Sequence, residues 1–141
     1  MYPYKPEVET KGWGWCSVKC ATEACLVVDI GYKAGGFTSA HFHRHRANRW
    51  SVRTGSLWIV RYRESGMLND KPFSILEWQS SRPPEGSLRL YEMGRELVRS
   101  GEVFDVPSMV IHSFEVQDTG EGTEIYFADR PGGVVRHDDI V

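Results

Sequence analysis

Short apolar runs rich in Val, Ile, Trp, Tyr and Phe recur along the chain, separated by clusters of Gly, Pro, Asn and Asp. This pattern is typical of an antiparallel β-sandwich or barrel. Turn signals at 33–36, 53–55 and 120–122 end several of the runs, and no long amphipathic helical pattern is present. The sequence therefore predicts an all-β fold with strands near 13–19, 24–31, 37–44, 48–54, 56–63, 73–79, 86–92, 95–99, 102–106, 110–117 and 123–129.

The segment at about 64–94 departs from this compact pattern. Loops of that length without structure of their own are uncommon in compact domains, so we expect an inserted extra strand pair there. The insertion would either cover the mouth of a pocket as a lid or extend a sheet for dimer contact. Its apolar side chains favour dimer contact; they are Phe73, Ile75, Leu76 and Trp78.

Histidines stand at strand spacing in two distant stretches that each begin with a glycine. Side chains two apart on a strand share a face, so His41 and His43 can point at one ion. His112, from a later strand, would complete a facial set of nitrogen ligands. The two stretches are Gly35-x5-His41-x-His43-x4-Asn48-x6-Gly55 and Gly101-x5-Pro107-x4-His112.

This double motif is that of the cupins, and the chain resembles that superfamily over nearly its full length. The run HRHRANRWSVRTGS resembles the C-terminal cupin domain of type II mannose-6-phosphate isomerases. The entry at 12–15, the segment VPSMVIHSFEV and the closing residues at 138–141 are similar to further segments of that family. The resemblance implies a cupin jelly roll, in which two stacked sheets protect the strand edges. It also implies a metal-dependent sugar-phosphate isomerase and, by analogy with small cupins, a homodimer.

Two predicted ligand positions differ from the isomerase pattern. His41 stands where that family has Gln, and Asn48 stands where most cupins have a Glu ligand. The predicted metal ligands are thus His41, His43, Asn48 and His112, although Asn48 could instead only cap a turn. A carboxamide leaves the full charge on the ion, which weakens binding but strengthens polarisation of a bound carbonyl or water.

Imidazole ligands favour a divalent transition metal, so we expect Zn, Ni, Fe or Mn. Without a ligand carboxylate, an anionic small-molecule substrate, such as a sugar, is the natural charge partner. Arg46, which matches an arginine of the isomerase family, could bind its phosphate or carboxylate, or could lie on the surface.

His45 is the predicted base, since it has the parity of His41 and His43. It could contact substrate or a metal-bound water, or lie at an exposed strand end. Glu115 and Glu124 are alternative bases whose direction depends on strand parity. The predicted catalytic residues are therefore His45 and Arg46.

Composition narrows the protein class. The chain of 141 residues and 16.1 kDa predicts a single domain over 1–141. A net charge of −2 and a pI near 6.2 give no basic surface for nucleic acid. No long apolar run or signal segment is visible, so we expect a cytoplasmic protein that does not bind membranes. Cys16, Cys20 and Cys25 are expected to be free thiols rather than to form a disulfide.

Three functions are compatible with these residues. The first is an aldose–ketose isomerase or epimerase acting on a sugar phosphate or related carbohydrate. The second is a three-histidine metal-dependent dioxygenase. The third is a non-catalytic module that binds a carbohydrate or small anion.

Overall fold

The computed structural model describes residues 7–44, 46–65, 67–68, 71–72 and 89–128, and every regular element within them is a β-strand. The all-β prediction is confirmed. The strands are β1 (Glu9–Lys11), β2 (Gly14–Ala21), β3 (Cys25–Tyr32), β4 (Arg46–Val52), β5 (Ser56–Ser65), β6 (Met67–Leu68), β7 (Lys71–Pro72), β8 (Arg89–Arg99), β9 (Val103–Val106), β10 (Ile111–Asp118) and β11 (Gly120–Ala128).

The strands form two facing antiparallel sheets. The larger sheet has the order β1-β2-β3-β11-β4-β9, and the smaller has the order β10-β5-β8. Within the larger sheet, β4 lies between β11 and β9, so Asn48 is opposite Tyr126 on one side and Val106 on the other. Residues directly opposite each other in antiparallel strands share a face. The inner faces of β4 and β11 therefore form one continuous wall of the interior.

An apolar core fills the space between the sheets. Leu26, Val28, Leu57 and Ile59 are fully buried and belong to one packed cluster with Trp50. In β4, alternate residues point inward, as expected for a strand with one buried face. Burial of this apolar surface stabilises the sandwich independently of the polar residues described below.

The segment at 37–44, predicted as a regular strand, is instead an interrupted ladder along β10. Isolated bridges join Phe37 to Glu115 and His41 to His112. Between the two bridges the chain advances four residues on the side of Phe37 and His41 but only three on β10, so the register slips by one residue. Such an extra residue breaks the ladder locally, as in a β-bulge.

Other differences concern strand boundaries. The short strand β1 was not predicted, and the runs expected at 86–92 and 95–99 belong, from Arg89 onward, to the single strand β8. In the insertion, β6 and β7 form a small antiparallel pair, whereas the strand expected at 73–79 lies outside the described residues. All three cysteines are free. No helix long and apolar enough to cross a membrane occurs in the described part of the chain.

Met109 has a left-handed backbone conformation (φ 67°) in the loop before β10. Its amide donates a hydrogen bond of 2.7 Å to the carbonyl of His43, which fixes the loop against the histidine segment. A non-glycine residue in this conformation costs about 1–2 kcal/mol, so the loop is held under strain by its surroundings.

We expect Met109→Gly to be more stable than Met109→Ala by about 1 kcal/mol, because both lose the same side-chain packing and only glycine relieves the strain. Chemical denaturation of the two variants measures the difference. At an unstrained position the order is reversed, so an alanine variant as stable as the glycine variant would contradict the argument.

Candidate metal centre

Three imidazoles converge at one end of the interior. His112 lies on β10, and His41 and His43 lie on the segment that pairs with that strand. His41 and His112 exchange backbone hydrogen bonds of 2.9 and 2.8 Å, and their ring centroids are 4.4 Å apart. The ligand nitrogens of the three residues all lie within 4.8 Å of one another. The two distant stretches of sequence therefore meet at a common point.

Hydrogen bonds to carbonyl groups set the tautomers of two of these rings. Nδ1 of His41 lies 2.8 Å from the Ser39 carbonyl, and Nδ1 of His112 lies 2.8 Å from the Val110 carbonyl. A carbonyl can only accept, so Nδ1 carries the proton and Nε2 keeps its lone pair. Such a partner on the far nitrogen is typical of metal-binding histidines.

The three imidazoles are neutral at physiological pH. Burial, together with the neighbouring His41 and Arg46, lowers the pKa of His112 to about 3. Burial is also the main cause that lowers the pKa of His41 and of His43, and Arg46 contributes to both shifts. Neutral imidazole is the form that binds a metal.

Arg46 is buried beside His43, not on the surface. Its Nη2 lies 2.9 Å from Nδ1 and 3.1 Å from Nε2 of His43. A donor in the ring plane cannot be nearly equidistant from both nitrogens without colliding with the carbon between them, so the guanidinium lies against the ring face. Its central carbon is 4.2 Å from the centroid of Tyr126, within cation–π range. The wall next to the histidines thus carries a buried positive charge.

Asn48 points into the interior with only 1% of its surface exposed. Its Nδ2 donates a 2.8 Å hydrogen bond to Oε2 of Glu124, a buried carboxyl on β11. Tyr126, two residues further on the same face, makes a second hydrogen bond to Glu124. Burial raises the pKa of Glu124 to about 7. The sequence left the direction of Glu124 open and did not indicate the contact with Asn48 or the role of Tyr126.

Trp50 provides a polar group as well as an apolar wall. The residue is 2% exposed, and its indole N–H has no acceptor within the described part of the chain. Its ring approaches that of His112 edge to face, with centroids 5.7 Å apart. A buried donor without a partner is costly, so this N–H is available to an acceptor on a bound molecule.

The remaining sequence candidates have different positions. His45 lies outside the described residues. Glu115 is on the outer face, where it accepts a 3.0 Å hydrogen bond from Arg95. Arg61 and Arg63 line a separate cavity of about 550 Å³, whose described walls do not include the histidines.

A divalent transition metal fits the residues that are present. Nε2 of His112 and Oδ1 of Asn48 are buried acceptors without a donor among the described residues, and a cation would satisfy both lone pairs. Two nitrogens on one ion are at most about 4.2 Å apart, given metal–nitrogen bonds of about 2.1 Å. The observed limit of 4.8 Å requires only small ring movements. His41, His43 and His112 would hold the ion, with Asn48 beside them.

Solved structures share this fold. The chain is similar to KdgF from Halomonas sp. (TM-score 0.59, 12% identity, 96% of this chain and 93% of that chain). It is also similar to an RmlC-like cupin from Shewanella frigidimarina (TM-score 0.61, 15% identity, 99% and 95%). The oxalate decarboxylase of Bacillus subtilis, which has Mn(II) centres, matches with a TM-score of 0.57 and 14% identity over 93% of this chain. The chain spans only 30% of that decarboxylase.

No protein-family model and no curated protein matches the sequence. At these low identities the solved structures show the fold alone, which is the cupin jelly roll. The three-histidine cluster lies within this fold, at the end of the interior described above.

Replacing His43 or His112 by Ala should release the metal while the sandwich still folds, because the apolar cluster that stabilises it does not include these rings. Metal content measured by mass spectrometry and the far-UV circular dichroism spectrum test the two halves of this expectation. Arg49→Ala is the matched control, since Arg49 lies on the same strand as Asn48 but is exposed and paired with Asp105. Unchanged metal content in both histidine variants would disprove the site.

Proposed function

We propose that this protein is a metal-dependent isomerase or epimerase that acts on a small anionic carbohydrate, most simply a sugar phosphate. The observation that carries the proposal is the buried guanidinium of Arg46, which lies against the ring of His43 in the cluster of three neutral imidazoles. A divalent cation held by these rings would add to its positive charge, and Glu124 is the one buried carboxyl among the residues that the structure describes. An anionic ligand balances that charge.

The sequence resemblance supports the carbohydrate class. HRHRANRWSVRTGS carries His43, His45 and Arg46 in an order that resembles the C-terminal cupin of type II mannose-6-phosphate isomerases. A homodimer is also part of the proposal, by analogy with small cupins. His41 and Asn48, which differ from the isomerase pattern, would change the donor set around an ion held by this cluster.

Each group at the site has a different role in the proposed isomerase. When bound, the metal supplies Lewis acidity that polarises a carbonyl or hydroxyl oxygen of the substrate. Arg46 holds the anionic group of the substrate, and the indole N–H of Trp50 donates to one of its oxygens. Isomerisation also needs a base that moves a proton between adjacent carbons. Glu115 faces outward and Glu124 already accepts two hydrogen bonds, so His45 is the proposed base.

A three-histidine dioxygenase is the second candidate, and the absence of a carboxylate among the three clustered ligands favours it. Three imidazoles with open positions also suit Fe(II) and oxygen chemistry. The site itself does not distinguish the two reactions, but their requirements for metal and oxygen do.

The test begins with elemental analysis of the untreated protein, followed by a screen of sugar phosphates with and without oxygen. An isomerase should form product anaerobically and should tolerate zinc. Product that requires Fe(II) and consumes oxygen would replace the proposal with the dioxygenase. Ligand-dependent melting shifts without product would identify a binding module and disprove catalysis.

Trp50→Phe should weaken anion binding to the Co(II)-loaded protein about tenfold, because it removes one hydrogen bond to a charged ligand and keeps the aromatic packing. The visible spectrum of Co(II) during titration with formate measures this affinity. Trp58→Phe is the matched control, since the Trp58 indole donates to Gln117 on the outer face. Equal formate affinity in both variants would contradict the assignment of the Trp50 N–H.

A further inference from the structure

We propose that Glu124 is a positioning residue that fixes the Asn48 amide so that its carbonyl oxygen faces the histidine cluster. This inference deepens the proposed function, because it rests on a metal bound by the three histidines. It concerns a contact between β4 and β11 that neither sequence motif contains.

The orientation of the amide follows from hydrogen-bond chemistry. In the structure the side of Asn48 that faces Glu124 is its NH₂ group, which donates to a carboxyl oxygen. The 2.8 Å contact from Nδ2 to Oε2 shows this arrangement. The carbonyl oxygen Oδ1 is then directed away from Glu124, and it is buried without a donor in the described residues. The acceptor is therefore available to a ligand.

The position of Asn48 along β4 places this oxygen beside the cluster. Arg46 and Trp50, the inward neighbours two residues before and after it, reach His43 and His112 respectively. Asn48 stands between them on the same face. The amide thus lies between two contacts to the metal-binding rings.

Glu124 is itself held in place. It receives the amide of Asn48 from the neighbouring strand and the hydroxyl of Tyr126 from its own strand. Only 4% of its surface is exposed, so water does not compete for its oxygens. A carboxyl fixed by two donors is a rigid support for the amide. Groups behind a metal ligand commonly change metal affinity by about 10–100-fold when they are replaced.

The arrangement explains how an amide can stand where most cupins have a glutamate ligand. A carboxyl group is present on the adjacent strand, where Glu124 accepts a hydrogen bond from the amide of Asn48. The ion would contact the carbonyl, and the carboxyl would polarise that carbonyl through the amide N–H.

Two replacements of Glu124 separate orientation from charge. Glu124→Gln removes the charge but keeps an oxygen that can accept from Asn48, whereas Glu124→Leu removes the acceptor. Zn²⁺ affinity is measured by competition with a chromophoric chelator, and folding by circular dichroism. We expect the leucine variant to bind Zn²⁺ at least about tenfold more weakly and the glutamine variant to stay within about threefold of the native protein.

Arg49→Ala is the matched control, because Arg49 is next to Asn48 on the same strand but is exposed and paired with Asp105; its Zn²⁺ affinity should stay within about threefold of native. An equal loss of Zn²⁺ affinity in the glutamine and leucine variants would mean that only the charge of Glu124 matters. Native Zn²⁺ affinity in the folded leucine variant would mean that Asn48 does not need Glu124 to orient its amide. Either result overturns the inference while leaving the metal site intact. A native protein that binds no Zn²⁺ overturns the proposed function instead.

Exchanging the amide and the carboxyl between positions 48 and 124 tests the contact between the two side chains even if Glu124→Leu fails to fold. Asn48→Asp alone places two acceptors against each other and should lower the melting temperature of the metal-free protein. Adding Glu124→Gln restores an N–H donor, now from the other side, and should recover at least about half of the loss. No recovery in the double variant would show that the two side chains are not coupled, which contradicts the inference.

Discussion

Pairing of the segment at 35–43 with β10 and the loop before it is the constraint on which the candidate site depends. The reciprocal hydrogen bonds between His41 and His112 bring two rings together, and the bond from Met109 to the His43 carbonyl holds the third. Because the segment is not a regular strand, no continuous ladder replaces these bonds if they break. A strained Met109 is therefore tolerated where it fixes the geometry of a functional segment.

The interior is divided between apolar and polar regions. Leu26, Val28 and Ile59 supply the burial that stabilises the sandwich. At the histidine end, the inner wall is polar and its groups largely satisfy each other, as the contact between Asn48 and Glu124 shows. Asn48, Trp50 and His112 each keep one buried polar atom without a partner among the described residues, and all three lie at this end. Local departures from good packing and pairing are expected at functional sites.

How much could be predicted from the sequence differs between the apolar and the polar region of the interior. The double motif named Asn48 as a ligand, and the apolar residue Trp50 two positions later marks the same buried face of β4. In β11 the same signal is misleading: Ile125 is apolar but only partly buried, whereas Glu124 and Tyr126 are buried. Periodicity identifies the buried face of a strand by its hydrophobic residues, so it does not identify an inner face that is lined by polar residues. The slip between Phe37 and His41 likewise could not be read from spacing, since a bulge leaves no fixed sequence signature.

The charge distribution connects the donor set to the kind of ligand. A glutamate bound directly to an ion partly neutralises it, and the Lewis acidity falls accordingly. A carboxyl behind Asn48 acts from a greater distance, so more of the charge remains available to a bound molecule. An ion held by the cluster would place a second positive charge close to Arg46, which lies against the His43 ring. The proposed anionic ligand would offset the repulsion between these two charges, which is why ligand charge is central to the proposed function.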